Sequence, residues 1–459
     1  MKKRVWGWYA FDWASQPFYT LVLTFVFGPY FAAVAAQFFL GNGLEDEAAK
    51  AAAQGVWSDA LTKIGLLIAF SAPILGAVAD GAGRRMPWIA LFSLFYIIGA
   101  AGLWLMVPDG SGIWITLICF GIVMIGVEYL NIFTNALLPS LGTNEEIGEH
   151  SGNGYAIGYA GGVAALFLML LVFAENDNGL TVLGNPPPFG LDAEAREGTR
   201  LVGPLTAVWF AVFMIPFFLW MREPRTGAKG VGFSKSLRDL GTTLRGLGAR
   251  PSLAAFLGAS MLYRDALNGL YAFGGVYATL VLGWSITQIG IFGIVAAIAA
   301  AVFTWAGGRA DKRYGPKPVI TWGCAILTLV VVVIVGMDRE AIFGIPLAEG
   351  SNVPDYTLYF LGAVIGGIGG AVQGASRTMM VRHADPDRPT EAFGLFAFSG
   401  KATAFLAPLL IGICTAYFES ARLGLMPLIF LFLFGLVLLA WVKPDGDRAE
   451  SWDQAPRPA

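Results

Sequence analysis

The stretch GAVADGAGRR at Gly76–Arg85 is answered far down the chain by GGRADKRYGPK at Gly307–Lys317. In both, a Gly stands four residues before an Asp (Gly76 and Asp80, Gly307 and Asp311), a basic residue follows, and another Gly comes shortly after. Each stretch joins two apolar runs of about 20 residues, the length needed to cross roughly 30 Å of hydrocarbon as a helix. One such loop would be an ordinary polar turn. Two at matching places indicate a chain built from two similar halves.

Read outward from these loops, the chain shows twelve apolar spans at about 5–36, 57–79, 87–107, 112–138, 151–174, 202–221, 252–282, 287–309, 317–337, 356–377, 392–417 and 424–442. The composition agrees: 56% of the 459 residues are hydrophobic and 14% charged, against about 25% charged in soluble proteins. The fold class expected is an all-α membrane protein with twelve transmembrane helices. A barrel would instead show alternating segments of about 10 residues. Of the 30 Lys and Arg, 22 fall on the face of the termini, which the positive-inside rule makes cytoplasmic. The first span has no cleavage site before the next polar stretch and is expected to stay as an anchor.

The longest connection on that face, Met221 to Ser252, is basic and Gly-punctuated, and is expected to form part of an amphipathic helix at the lipid surface. The expected organisation is therefore a six-helix bundle over 1–221, a basic linker over 222–251, a second bundle over 252–443 and a disordered cytoplasmic tail over 444–459. A net charge of −2 gives no reason to expect nucleic acid as a partner. Cys119, Cys324 and Cys414 lie singly within apolar runs, so neither a disulfide framework nor a metal site is expected. No cofactor is called for.

The paired loops resemble the signature loop of the major facilitator superfamily, G-x-x-x-D-(R/K)-x-G-(R/K)-(R/K). The first departs from it at Gly81, where a basic residue would follow Asp80; the second carries one extra residue before Gly315. The resemblance implies two pseudo-symmetric six-helix bundles, with Asp80, Arg84, Arg85, Asp311 and Lys312 in charge relays that latch the cytoplasmic side. A narrower likeness covers nearly the whole chain. WYAFDWASQPFYTLVLTFVFGPYF, NALLPSLG, GYAIGYAGG, YRDALNG, GAVQGASRTMM and EAFGLFAFSGKATAFLAPLL look like the autophagy-linked vacuolar amino-acid effluxers and their bacterial relatives of unknown substrate. Arg264, ahead of Asp265, departs from the small or polar residue expected there.

Ionisable residues inside spans are costly and mark function or ion pairing. Here they are Asp12, Glu128, Arg264, Asp265 and Lys401, with Arg377 at a cytoplasmic end. The resemblance implies that spans one, four, seven and ten line a central cavity, where most of this charge lies. Asp12 and Asp265 hold matching positions in the two halves: Ser15 and Phe18 follow the first at the offsets at which Asn268 and Tyr271 follow the second. Each half is thus expected to present a carboxylate with a polar neighbour. Asp12 reads either as a lock, paired with Lys401 or Arg264, or as a proton carrier. Glu128 with Tyr129, Asn131 and Asn135 makes a polar stripe on span four, a proton or substrate site or else a structural ion pair. Gln373 and Arg377 lie one turn apart on span ten, with Arg377 expected to snorkel as an anchor or to bind an anionic group.

Glycines every four residues on span ten (Gly362, Gly366, Gly370, Gly374) and span five (Gly154, Gly158, Gly162) are expected to let helices pack closely. Trp6, Trp8, Trp13, Trp57 and Trp88 read as an interfacial belt, and Tyr9, Phe18 and Tyr271 as deep enough to line a cavity. His150 and His383 are expected in solvated loops.

The expected function is secondary active transport of a small polar or zwitterionic solute, amino acids by resemblance, through alternating access. Coupling would be to a proton or another ion, since no nucleotide-binding motif occurs. The alternative is a transporter-like receptor or scaffold; an enzyme has no constellation of residues behind it. The expected setting is a monomer in the bacterial inner membrane, or in a vacuolar membrane if the cell is eukaryotic, with both termini cytoplasmic.

Overall fold

The computed structural model describes residues 2–176, 178–223, 241–242, 245–284, 286–418 and 420–447, and they are predominantly helical. Among the described residues, eleven helical stretches are long and apolar enough to cross a membrane. The seventh expected span is present as the 32-residue helix Pro251–Leu282. It stands outside those eleven because Arg264, Asp265 and Asn268 depress its mean hydropathy. Residues 224–240 of the expected linker, and with them most of its amphipathic helix, lie outside the described residues, as does the tail from 448 onward.

Large apolar side chains such as Phe70 (66% exposed), Ile98 (61%) and Trp322 (70%) stand on the helix surfaces. In water they would be a liability; against lipid tails they are at home.

Two helices begin or end beyond their apolar cores. Span five starts at Asn144 rather than 151, because Thr143 and Glu146 form a capping box: the Glu146 carboxylate accepts the Thr143 backbone N–H at 2.9 Å. Span ten runs Val353–His383. His150 and His383 are therefore helical, which corrects the loop reading. His383 is buried, bonded through Nε2 to the Ser252 hydroxyl at 2.7 Å and through Nδ1 to the Met379 carbonyl at 2.9 Å.

Span one, Lys2–Gly41, is interrupted. An α-helix ends at Pro17, a π-helical segment covers Phe18–Phe25, and α-helix resumes over Phe27–Gly41. The proline has no N–H to give and its ring crowds the preceding turn, so the regular ladder fails where it sits.

The contacts divide the chain into two compact units. The first comprises Met1–Phe70, Gly83–Thr134 and Ile157–Ala228. Its core is aromatic: Tyr96 stacks on Phe210 with centroids 4.0 Å apart, and Trp57 lies against Phe120 at 4.5 Å. Trp8 is fully buried and donates its indole N–H to the Thr134 carbonyl at 2.8 Å. Trp8 and Trp57 are thus packing residues rather than belt residues, while Trp6, 59% exposed, fits a belt. Phe18, 1% exposed and stacked on Phe120, belongs to this core. Span five offers its small residues to span one: Gly158 meets the Asp12 backbone and Gly161 meets Trp13.

The second unit comprises Ser71–Ala82, Asn135–Ala156 and Lys229–Ala459. Its central helix is span ten, which packs along spans eight (Ile286–Tyr314) and nine (Pro316–Val335). The glycines of span ten make this possible: Gly362 faces the Phe292 ring, Gly366 the Ala296 backbone and Gly367 the Phe303 side chain. A Cβ at Gly366 would come within 2.8 Å of the Ala296 carbonyl carbon. Gly366→Leu is therefore expected to destabilise the protein by about 1–3 kcal/mol or more, read as a lower thermal unfolding midpoint in detergent. Gly412→Ala, where the added methyl meets nothing within 4 Å, is the neutral comparison.

Candidate functional site

In the first unit, Glu128, Asn131 and Tyr19 form one polar group within the helices. The Asn131 side-chain amide donates to the Tyr19 hydroxyl at 2.9 Å and to the Val127 carbonyl at 3.0 Å. The Tyr19 hydroxyl in turn donates to Glu128 Oε1 at 3.4 Å. Glu128 is half-buried within Ile113–Asn135, with an apolar turn before it. Tyr19 was not singled out from the sequence. It lies seven residues, two helical turns, beyond Asp12, a spacing that would have flagged it. Asp12 itself is 6% exposed and Ser15 4%.

Asn135 leaves the expected stripe. It belongs to the second unit, where it meets Arg377. Arg377 is 2% exposed. Its Nη1 donates to Asn135 Oδ1 at 3.0 Å, Nε to the Ser151 hydroxyl at 3.0 Å and Nη2 to the Ser151 carbonyl at 2.8 Å. The guanidinium also lies 4.1 Å from the Tyr155 ring centroid, and the Ser151 hydroxyl donates to the Gly374 carbonyl at 2.8 Å. Arg377 is thus no snorkelling anchor. Its planar fork gathers the end of span four, the first turns of span five and span ten into one cluster. The sequence hid Ser151 and Tyr155 because small hydroxyls and aromatics are common in every span.

The aspartates of the two paired loops both pack within this second unit. Asp80 Oδ2 accepts the Glu391 N–H at 2.7 Å, in the first turn of Pro389–Ala402, where unpaired amides and the helix dipole favour an anion. Gly76 lets the chains approach, since a Cβ there would lie 3.0 Å from the Thr390 carbonyl carbon. In the second loop, Asp311 is 1% exposed and abuts Gly148, in the second turn of span five. Gly308 packs on Gly152, and Lys312 pairs with Glu149 at 2.7 Å. Each loop therefore sets an Asp beside the first turns of a helix that starts on the basic face. In the first unit, Arg85 pairs with Glu223 at 3.3 Å, and the Glu223 carboxylate also accepts the Arg85 and Met86 N–H groups at the start of span three. Arg84 is exposed.

Gly152→Val would push two methyls into the contact with Gly308. It is expected to cost about 1–3 kcal/mol in thermal stability, with Gly65→Val, which meets nothing within 4 Å, as its comparison.

Arg264 and Asp265 do point to different neighbours. Arg264 donates to the Phe396 carbonyl at 3.0 Å, lies 4.3 Å from the Phe396 ring centroid and fills the space left by Gly400. Asp265 is 3% exposed and accepts the Ala407 N–H at 2.8 Å. Asn268 is exposed and Tyr271 44% exposed, whereas Ser15 and Phe18 at the matching offsets are buried. The expected carboxylate with a polar partner on one face is thus not formed at Asp265. Gln373 hydrogen-bonds the Tyr271 hydroxyl. Lys401 stands one residue before the end of Pro389–Ala402. Among the described residues no cluster of metal-ligating side chains occurs.

Residues 1–451 match the family described as "Vacuole effluxer Atg22 like". The chain belongs to that family. Among relatives of this Atg22-like chain is the uncharacterized MFS-type transporter YxiO of Bacillus subtilis, 24% identical over 98% of this chain and 96% of YxiO. Autophagy-related protein 22 of Cryptococcus neoformans is 25% identical over 67% of this chain, which spans only 52% of that longer protein. Among the solved structures similar in fold are the human organic anion transporter MFSD10 (TM-score 0.66, 15% identity, 95% of this chain and 99% of that one) and FucP in its outward conformation (TM-score 0.66, 13% identity, 96% and 98%). The Atg22-like chain is a multi-pass integral membrane protein of the major facilitator fold and a membrane transporter by family.

Proposed function

We propose that this Atg22-like protein is a secondary active transporter that moves a small polar or zwitterionic solute, with amino acids as the first class to test, in exchange for the free energy of an ion gradient. Its two six-helix halves, 1–221 and 252–443, would rock about the substrate, with the basic face and both termini in the cytoplasm of a bacterial cell. The observation that carries this reading is Glu128: a half-buried carboxylate inside a span that accepts the Tyr19 hydroxyl, which in turn accepts the Asn131 amide. An ionisable side chain placed inside a span is costly and marks function or ion pairing, and proton carriage is the role proposed for it here.

The basic-face contacts supply the second requirement of alternating access, a closure that can form and break. Arg377 with Asn135 and Ser151, and Asp80 at the Glu391 amide, are directional and polar. Such bonds can be exchanged for water without exposing a large apolar area.

Counterflow into liposomes holding the purified monomer tests the reading. Labelled amino acid should accumulate transiently against excess unlabelled amino acid with no ion gradient imposed. A receptor or scaffold would bind the same ligand, seen as a thermal shift, and exchange none of it.

A further inference from the structure

Span eleven is two helices. The first, Pro389–Ala402, ends before residues 403–405, and the second, Leu406–Phe418, begins after them. Pro408 explains the gap: it has no N–H to donate, and its ring clashes with the carbonyl four residues back, at Ala404. The broken ends expose terminal carbonyls of the first half-helix and amides of the second within the membrane. Leu406 N–H finds the Thr403 carbonyl at 2.8 Å, and Leu409 N–H finds the Phe405 carbonyl at 3.1 Å. Ala407 N–H is taken by Asp265 Oδ2 of span seven at 2.8 Å.

Capping that amide uses one carboxylate oxygen. The other, Asp265 Oδ1, is buried with no hydrogen-bond partner, and so is the Thr403 hydroxyl in the break itself. Asp265 has no ion-pair partner among the described residues, since its neighbour Arg264 is committed to Phe396 and Gly400. A 3% exposed carboxylate with a bare oxygen costs several kcal/mol unless it takes a proton or a positive charge meets it. Half-helix C-terminal carbonyls beside such a carboxylate are a recurrent way to coordinate a small cation in a membrane.

We propose that the break in span eleven is a binding site for a monovalent metal cation of sodium's size. Asp265 Oδ1, the Thr403 hydroxyl and the end carbonyls of Pro389–Ala402 supply its oxygen ligands. An all-oxygen set with a single carboxylate suits one hard positive charge. The half-helix Leu406–Phe418 keeps its cap from Oδ2, so the cation and the cap use different oxygens of one side chain. This deepens the transport reading by giving the second half its own coupling ion, yet binding at this position does not depend on which solute is carried.

The test measures the thermal unfolding midpoint of the full-length protein in detergent as sodium chloride replaces choline chloride at constant ionic strength, with 22Na+ binding in parallel. The wild type is expected to show a saturable rise in midpoint with sodium, larger than with potassium, together with stoichiometric 22Na+ binding. Asp265→Asn keeps an acceptor for the Ala407 amide and should fold, but should lose both responses. Thr403→Val should weaken sodium binding and Thr403→Ser restore it. A wild type with no sodium-specific shift, a shift that follows pH alone, or an Asp265→Asn protein that responds as the wild type does would overturn the proposal. Counterflow without sodium binding would do so while leaving the transport reading intact. Sodium binding without counterflow would support the site and remove only the transport reading.

Discussion

Arg377→Leu is expected to be among the most damaging single substitutions in the chain. It removes at least three hydrogen bonds and a ring contact at once. Of the acceptors left behind, the carbonyl belongs to the buried Ser151 and Oδ1 to the half-buried Asn135. Buried acceptors stripped of partners cost about 1–3 kcal/mol each, and breaking a buried charged cluster costs about 3–5 kcal/mol in total. The loss should appear as a lower unfolding midpoint and an at least ~10-fold slower solute exchange, since a ΔΔG of 1.4 kcal/mol on the closed state already shifts its population tenfold. Arg377→Lys should recover only part, because an ammonium cannot bridge the Asn135 and Ser151 acceptors with the geometry of a planar fork. Asn135→Ala should cost less alone and add little to Arg377→Leu, giving a coupling energy of about 0.5–3 kcal/mol in a double-mutant cycle. Full additivity would mean that the two side chains do not act together.

Glu128→Gln is expected to have the second large effect, on coupling rather than on folding. The amide keeps an oxygen to accept from Tyr19 and matches the acid in shape, so the group with Asn131 should survive. What it loses is the ability to carry a proton. Accumulation driven by a pH gradient should fall about 10²-fold or more, while counterflow, which needs no net proton movement, continues. Tyr19→Phe should be milder, altering the pH dependence of uptake without abolishing it. Proton-driven uptake undiminished in Glu128→Gln would remove Glu128 from the coupling mechanism.

The spans were legible because burial in lipid imposes one simple rule, about 20 apolar residues per helix, and this chain obeys it almost everywhere. The departures have local causes. Hydropathy marks where the hydrocarbon ends, not where the helix does, so the polar first turns before Ser151 and the last turns after Arg377 were read as loop. The Thr143–Glu146 capping box was the signal for the first of these. The paired loops were legible as a repeat, but their targets, Glu391 and Gly148, were not, since Asp80 meets a backbone amide and Asp311 packs on a glycine, and neither contact leaves a side-chain signature.

The candidate site was half legible. Glu128 and Asn131 declared themselves as polar residues three apart in an apolar helix. Asn135, one turn further on, went to Arg377 instead, because the helix Ile113–Asn135 ends there and its last side chain is free to turn towards span ten. The symmetry of Asp12 and Asp265 held in position only. Phe18 stacks into an aromatic core, whereas Tyr271 is exposed with its hydroxyl against Gly369. The break in span eleven was written in Pro408, but a proline in a membrane helix does not by itself say which distant side chain will cap the freed amide.

If the basic face must open in every cycle, a tether across its contacts should stop transport. Lys312 and Glu149 pair there at 2.7 Å and both reach solvent, so their positions can be bridged without cutting into the core. The decisive measurement is counterflow by a Glu149→Cys, Lys312→Cys protein, with Cys119, Cys324 and Cys414 replaced by Ala, before and after a short disulfide-forming thiol cross-linker. Exchange should fall to the level of empty liposomes on bridging and return on reduction. A bridged protein that exchanges solute at the unbridged rate would contradict alternating access through this face.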